Sequence, residues 1–118
     1  ALRVQFLDSP VRLNQVLQNL KLPPTRLSLQ VGYSTLGLDG PNPVQLSVEC
    51  SDRGRSDLGS VAFEMGSNPD STAETQFEVP ANGCDMQRLK LTNGDFVQSW
   101  RNRYSGALLL KSVTITRN

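Results

Sequence analysis

The sequence predicts an all-β chain, an antiparallel β-sandwich of jelly-roll type with one short N-terminal amphipathic helix. Three observations lead there. Apolar and polar residues alternate at period two in several segments of roughly five to eight residues. Gly, Pro, Asn and Asp cluster in the turns between them. An apolar share of 37% with 19% charge suits a two-layer fold with generous loops. At 118 residues the chain is long enough for one core and is read as a single domain over 1–118.

Taken in order, Leu2, Val4 and Phe6 alternate with Arg3 and Gln5 as a first strand. Asp8-Ser9-Pro10 then offers a helix start, with Ser9 as N-cap and Pro10 at the first helical position. Leu13, Val16, Leu17 and Leu20 stand at i, i+3, i+4 and i+7, so a helix is expected over about residues 10–20. Pro23-Pro24 closes it. The period changes to two at Leu27, Leu29, Val31 and Tyr33, and Leu38 to Pro43 reads as a turn. Val44, Leu46, Val48 and Cys50 form the next inward row, and Val61, Phe63 and Met65 mark the next strand. Gly66-Ser67-Asn68-Pro69-Asp70-Ser71 has turn composition. Phe77 and Val79 mark a short strand that ends at Pro80. Met86, Leu89 and Leu91 suggest a strand with a bulge, because the alternation breaks after Met86. Thr92 to Asp95 reads as a hairpin turn, and residues 108–117 form the most β-prone stretch.

Charge is unevenly distributed. Residues 39–85 hold nine acids against two arginines, a balance of −7, whereas residues 86–118 stand at +5 and residues 1–38 at +3. Strands from the oppositely charged thirds are expected to pair across a sheet. A basic face for an anionic polymer is the sharper alternative, and nucleic acid is not the expected partner.

The chain contains no histidine, which excludes Ser-His-Asp and Cys-His catalysis and removes the commonest metal ligand. No catalytic residue, cofactor or metal site is expected. Acid pairs such as Asp52/Asp57 and Asp70/Glu74 read as solvated loop charges. The segment from Ser51 to Asp57 has calcium-like oxygen ligands, but Arg53 and Arg55 oppose a cation there. Cys50 and Cys84 have neither CxxC spacing nor histidine partners, so a disulfide is expected, with a secreted, periplasmic or cell-surface location. No segment reaches the ~18 apolar residues of a membrane span. An opening on Ala1 without a signal peptide fits a processed or excised chain.

The strongest candidate for ligand contact is the segment with Gln98, Trp100, Arg101, Asn102, Arg103 and Tyr104. It combines two aromatic faces for stacking on a sugar ring with donors and acceptors for hydroxyls. The same set suits a protein hot spot, and Trp100 with Tyr104 could equally fill the core.

The C-terminal Ser105-Gly106-Ala107-Leu108-Leu109-Leu110-Lys111-Ser112-Val113-Thr114-Ile115 resembles the closing strand of galactose-binding-like jelly rolls and carbohydrate-binding modules. It departs from them where Lys111 or Ser112 replaces their usual Asp. Val11 to Leu17 is similar to the opening of β-grasp exopolysaccharide export proteins. The resemblance implies non-catalytic binding of a saccharide or polysaccharide. The competing expectation is a structural subunit of a bacterial envelope, pilus or secretion assembly, acting through a sheet edge or the helix on a protein partner.

Overall fold

A computed structural model describes residues 2–10, 13–51, 57–93 and 103–117. These form eight strands: β1 (Leu2–Pro10), β2 (Asn14–Leu20), β3 (Arg26–Asp39), β4 (Gln45–Cys50), β5 (Asp57–Ala62), β6 (Gly66–Glu78), β7 (Gln87–Thr92) and β8 (Arg103–Arg117). They make two antiparallel four-stranded sheets, in the orders β1-β8-β3-β6 and β2-β7-β4-β5. Successive strands repeatedly switch sheets, which places sequence-distant segments side by side.

The period-two rows fall where the sequence puts them. Leu27, Leu29, Val31 and Tyr33 of β3 face Leu46, Val48 and Cys50 of β4, with Leu89 and Leu91 of β7 and Leu108 and Leu110 of β8 completing the core. Each such aliphatic side chain contributes about 1.5–3 kcal/mol on burial. Cys50 and Cys84 form the expected disulfide, with Cα atoms 5.2 Å apart. It ties the end of β4 to the turn that leads into β7.

Among the described residues the helix expected over residues 10–20 is not found: Pro10 ends β1, and β2 occupies Asn14–Leu20. A single irregularity between Val16 and Gln18 explains the misleading pattern. Leu13 and Leu17 share a face at period two, and the extra residue shifts the phase so that Leu20 also turns towards the core. A bulged strand thereby imitates i, i+4, i+7. Val16, the helical i+3 position, is 43% exposed. Long-range hydrogen bonds hold β2 extended at both ends. Buried Asn93 accepts the Leu13 N–H on Oδ1 (3.1 Å) and donates its own N–H to the Leu13 carbonyl (3.3 Å), while Gln87 Oε1 accepts the Leu22 N–H (2.7 Å). The β-grasp likeness falls with the helix.

Three further expectations change. The turn expected over residues 66–71 is the first half of edge strand β6, where Pro69 is tolerated because no further strand needs its N–H. Lys111 Nζ donates to the Pro69 carbonyl (2.9 Å), and Asn68 Nδ2 donates to Thr35 Oγ1 (3.0 Å). The strand marked by Val61, Phe63 and Met65 ends at Ala62, although Phe63 stays buried and donates its N–H to the Val44 carbonyl (2.9 Å). The β7–β4 ladder runs without a bulge. The apolar break after Met86 arises because the inward residue there is Gln87, whose Nε2 donates to the Cys84 carbonyl (2.7 Å).

On one side of the sandwich β5 meets β6, where Gly59 leaves room for Phe77. On the other side β1 and β2 stand apart around a crevice of about 490 Å³, whose walls include Leu2, Val16, Leu89 and Val113. Among the described residues no helix is long and apolar enough to cross a membrane.

Candidate functional site: a polar sheet face

The segment favoured from sequence is only partly within view. Gln98, Trp100, Arg101 and Asn102 lie outside the described residues. Arg103 opens β8 and is exposed. Tyr104 is 1% exposed and its ring packs beside Phe6, with centroids 5.5 Å apart. Its hydroxyl donates to the Asn42 carbonyl (3.1 Å) and accepts the Asn42 N–H (3.2 Å). Tyr104 therefore latches the β3–β4 loop and presents no face on which a ring could stack. Of the calcium-like segment, residues 52–56 lie outside the described residues, and Asp57 begins β5.

The outward face of β2-β7-β4-β5 is a second candidate. Register places Asn19, Arg88, Glu49 and Asp57 in one row across the four strands. The next row is Val16, Lys90, Ser47 and Ser60, followed by Thr92, Gln45 and Ala62. Strand pleating puts one polar row above another, because alternate residues of β4 and β7 must leave the core. The face consists largely of hydrogen-bonding side chains.

Its centre is unusually buried for an outward face: Ser47 is 5% and Glu49 8% exposed. Arg88 Nη2 lies 2.9 Å and Lys90 Nζ 3.7 Å from Glu49 Oε1, so the two cations converge on one carboxylate oxygen. This is the expected pairing between an acidic-region strand and a basic-region strand. The 2.9 Å contact is not aligned as a hydrogen bond. Among the described residues neither Glu49 Oε1 nor Arg88 Nε has an aligned hydrogen-bond partner, although both atoms are buried. Glu49 Oε1 is held by the two ion pairs, whereas the Arg88 Nε–H is a buried donor with spare capacity. A hydroxyl both donates and accepts, so a polyhydroxylated ligand suits a face that mixes carboxylates with N–H donors.

Asp57 stands opposite Glu49 on the neighbouring strand. Burial pushes its carboxyl above the ordinary 3.8 and Glu49 adds to the rise, while the Gly59 N–H and Lys90 oppose it. The folded state thus holds this proton more tightly than the unfolded chain. Stability therefore falls as pH climbs from about 4 through the raised value. Asp57→Asn should remove that slope, and melting temperatures taken across pH 3.5–7 check it. An unchanged slope contradicts the placement.

No family model matches the chain, and no curated protein matches it in sequence. Solved structures do match. A CBM4 carbohydrate-binding module superposes with a TM-score of 0.69 at 9% identity, over 98% of this chain and 70% of that one. The carbohydrate-binding module CBM6cm-2 of Cellvibrio mixtus lichenase 5A, solved with cellotriose, gives 0.56 at 13% identity over 98% and 77%. A second module of family 16 gives 0.58 at 12% identity over 94% and 74%. The fold is the one these carbohydrate-binding modules share. The likeness read from residues 105–115 therefore extends to nearly the whole chain.

The sequence signal for the sheet face lay in the outward phases Gln45/Ser47/Glu49 and Arg88/Lys90/Thr92. Each reads as an ordinary solvated strand face. Only the β4–β7 register, set by residues about 40 positions apart in sequence, turns the two into one platform.

Proposed function

We propose that this chain is a non-catalytic saccharide-binding module that works outside the cytoplasm, and that the polar face of β2-β7-β4-β5 is its platform. The observation that carries this reading is the Glu49–Arg88–Lys90 cluster, a buried carboxylate between two half-buried cations. Among the described residues its Arg88 Nε–H has no hydrogen-bond partner, and the cluster lies on a sheet face of a fold shared with carbohydrate-binding modules. Glu49 and Asp57 accept from sugar hydroxyls, and Arg88, Lys90 and Asn19 donate to them. Ser47, Gln45 and Thr92 line the adjoining rows. Trp100, with Gln98, Arg101, Asn102 and Arg103, supplies stacking and further polar contacts from the segment that joins β7 to β8. The disulfide supports an oxidising location: secreted, periplasmic or at the cell surface.

Calorimetric titration with soluble β-glucans, xylans, galactans and their oligosaccharides tests the reading. At least one should bind, and Arg88→Ala should weaken it about tenfold or more, the effect of losing a hydrogen bond to a charged group. If Trp100→Ala leaves affinity unchanged, the stacking role is lost and the platform remains. If no saccharide binds the folded protein, the function is wrong.

A further inference from the structure

The chain contains two Asn-Gly pairs, Asn82-Gly83 and Asn93-Gly94. Asparagine before glycine closes readily to a ring. No side chain shields the glycine nitrogen from the asparagine Cγ, and glycine tolerates the backbone angles that the approach demands. Asn42 and Asn68 instead precede proline, which has no N–H to attack with.

The fold treats the two asparagines differently. Asn93 is 1% exposed, its Oδ1 accepts the Leu13 N–H, and its own N–H donates to the Leu13 carbonyl. Side chain and backbone are both held against the start of β2, so Asn93 reacts only from locally opened states. Asn82 has none of these restraints. It lies with Ala81 and Gly83 in the exposed turn between β6 and β7. Among the described residues neither Asn82 nor Gly83 forms a hydrogen bond. Gly83 has φ near +82°, and a Cβ added there would meet nothing within 4 Å, so the ring has room to form.

We propose that Asn82 is a site of spontaneous covalent modification, passing through a succinimide to aspartate and isoaspartate, while the fold spares Asn93. The Gly83 nitrogen attacks Cγ of Asn82. The N–Cγ bond forms, the Cγ–Nδ2 bond breaks, and the Gly83 proton leaves with Nδ2 as ammonia. Water then opens the ring. Addition at Cγ gives aspartate, and addition at the main-chain carbonyl carbon gives isoaspartate, in which the chain runs through the side chain. Nothing is oxidised or reduced. Either product puts a new carboxylate on the turn, and this one negative charge takes the formal net charge of the 118 residues from +1 to 0. A protein near neutrality associates more readily. The isoaspartyl form also lengthens the main chain just before Cys84. The bridge to Cys50 and the Gln87 bond to the Cys84 carbonyl hold the chain beyond that point, so the turn absorbs the extra length and β7 keeps its register.

Incubation of the folded protein at mildly alkaline pH, with peptide mapping by mass spectrometry at intervals, tests this. The peptide holding Asn82 should gain aspartyl and isoaspartyl forms about tenfold faster, or more, than the peptide holding Asn93. An acidic species resolved by ion exchange should grow at the same rate. Asn82→Gln should abolish it without moving the melting temperature. In urea, with the protein fully unfolded, the two pairs should convert at similar rates, because only the fold distinguishes them. Equal rates in the folded protein, an Asn93 that converts first, or an acidic species that persists in Asn82→Gln overturns the proposal. So does a difference in rate that survives unfolding.

Discussion

Gly106→Ala should destabilise the protein by about 3 kcal/mol or more, measured by denaturant unfolding followed by circular dichroism. Gly106 has φ near +89°, a region that costs an L-residue about 1–2 kcal/mol. Strain is the smaller part. A Cβ at this position would run into the Gly37 carbonyl and the Leu38 amide, where β3 bulges against β8 between Leu36 and Asp39. Both obstacles are backbone. Moving them disturbs β3, and moving Gly106 disturbs its pairing with Phe6 of β1. Gly37→Ala is the control: its φ of 60° is also positive, but the added carbon meets nothing within 4 Å. It should cost only the conformational strain. Equal losses at the two positions would show that the β3–β8 approach is looser than described.

Replacing Cys50 and Cys84 together by alanine should cost about 4 kcal/mol, the chain-entropy value for closing a loop of 34 residues. Both side chains are buried, so lost packing adds to this rather than offsetting it. The effect should reach the sheet face. Glu49 precedes Cys50, and Arg88 follows Gln87, whose amide holds the Cys84 carbonyl. Loosening the bridge therefore loosens the row on which saccharide recognition is proposed to depend. A double variant with unchanged midpoint and slope in denaturant would contradict the structural role of the bridge.

Much of the fold was legible in the sequence because its core strands obey a strict period of two. Leu27 to Tyr33 and Val44 to Cys50 can be placed from alternation alone, and the disulfide follows from cysteine arithmetic and context. Residues 10–20 were not legible because one bulge converts a strand pattern into a helical one. What holds this segment extended lies far away in sequence, in the side chains of Gln87 and Asn93. Gln87 also disguised the start of β7, since a buried amide breaks an apolar count while keeping the inward phase. Turn composition misled at residues 66–71, where an edge strand can accommodate proline.

The site was harder to read than the fold. Tyr104 attracted a ligand role because aromatic residues near arginines suit sugars, yet its hydroxyl and ring are engaged inside the protein. The Glu49–Arg88–Lys90 cluster showed in the sequence only as opposite charge in different thirds of the chain. That signal foretold pairing without indicating that the pairing would leave a buried Arg88 donor in excess among the described residues. Such an excess depends on side-chain angles, which no spacing rule encodes.

The Arg88 side-chain Nε–H resonance reports directly on whether saccharide binds at the β2-β7-β4-β5 face. It should be assigned in ¹⁵N-labelled protein and followed during titration with the saccharide that binds most tightly in calorimetry. This resonance should move saturably with the backbone amides of Ser47, Glu49 and Lys90, as a sugar hydroxyl takes up the spare Arg88 donor. Saturable binding that leaves these four signals in place would contradict it and move recognition away from this face.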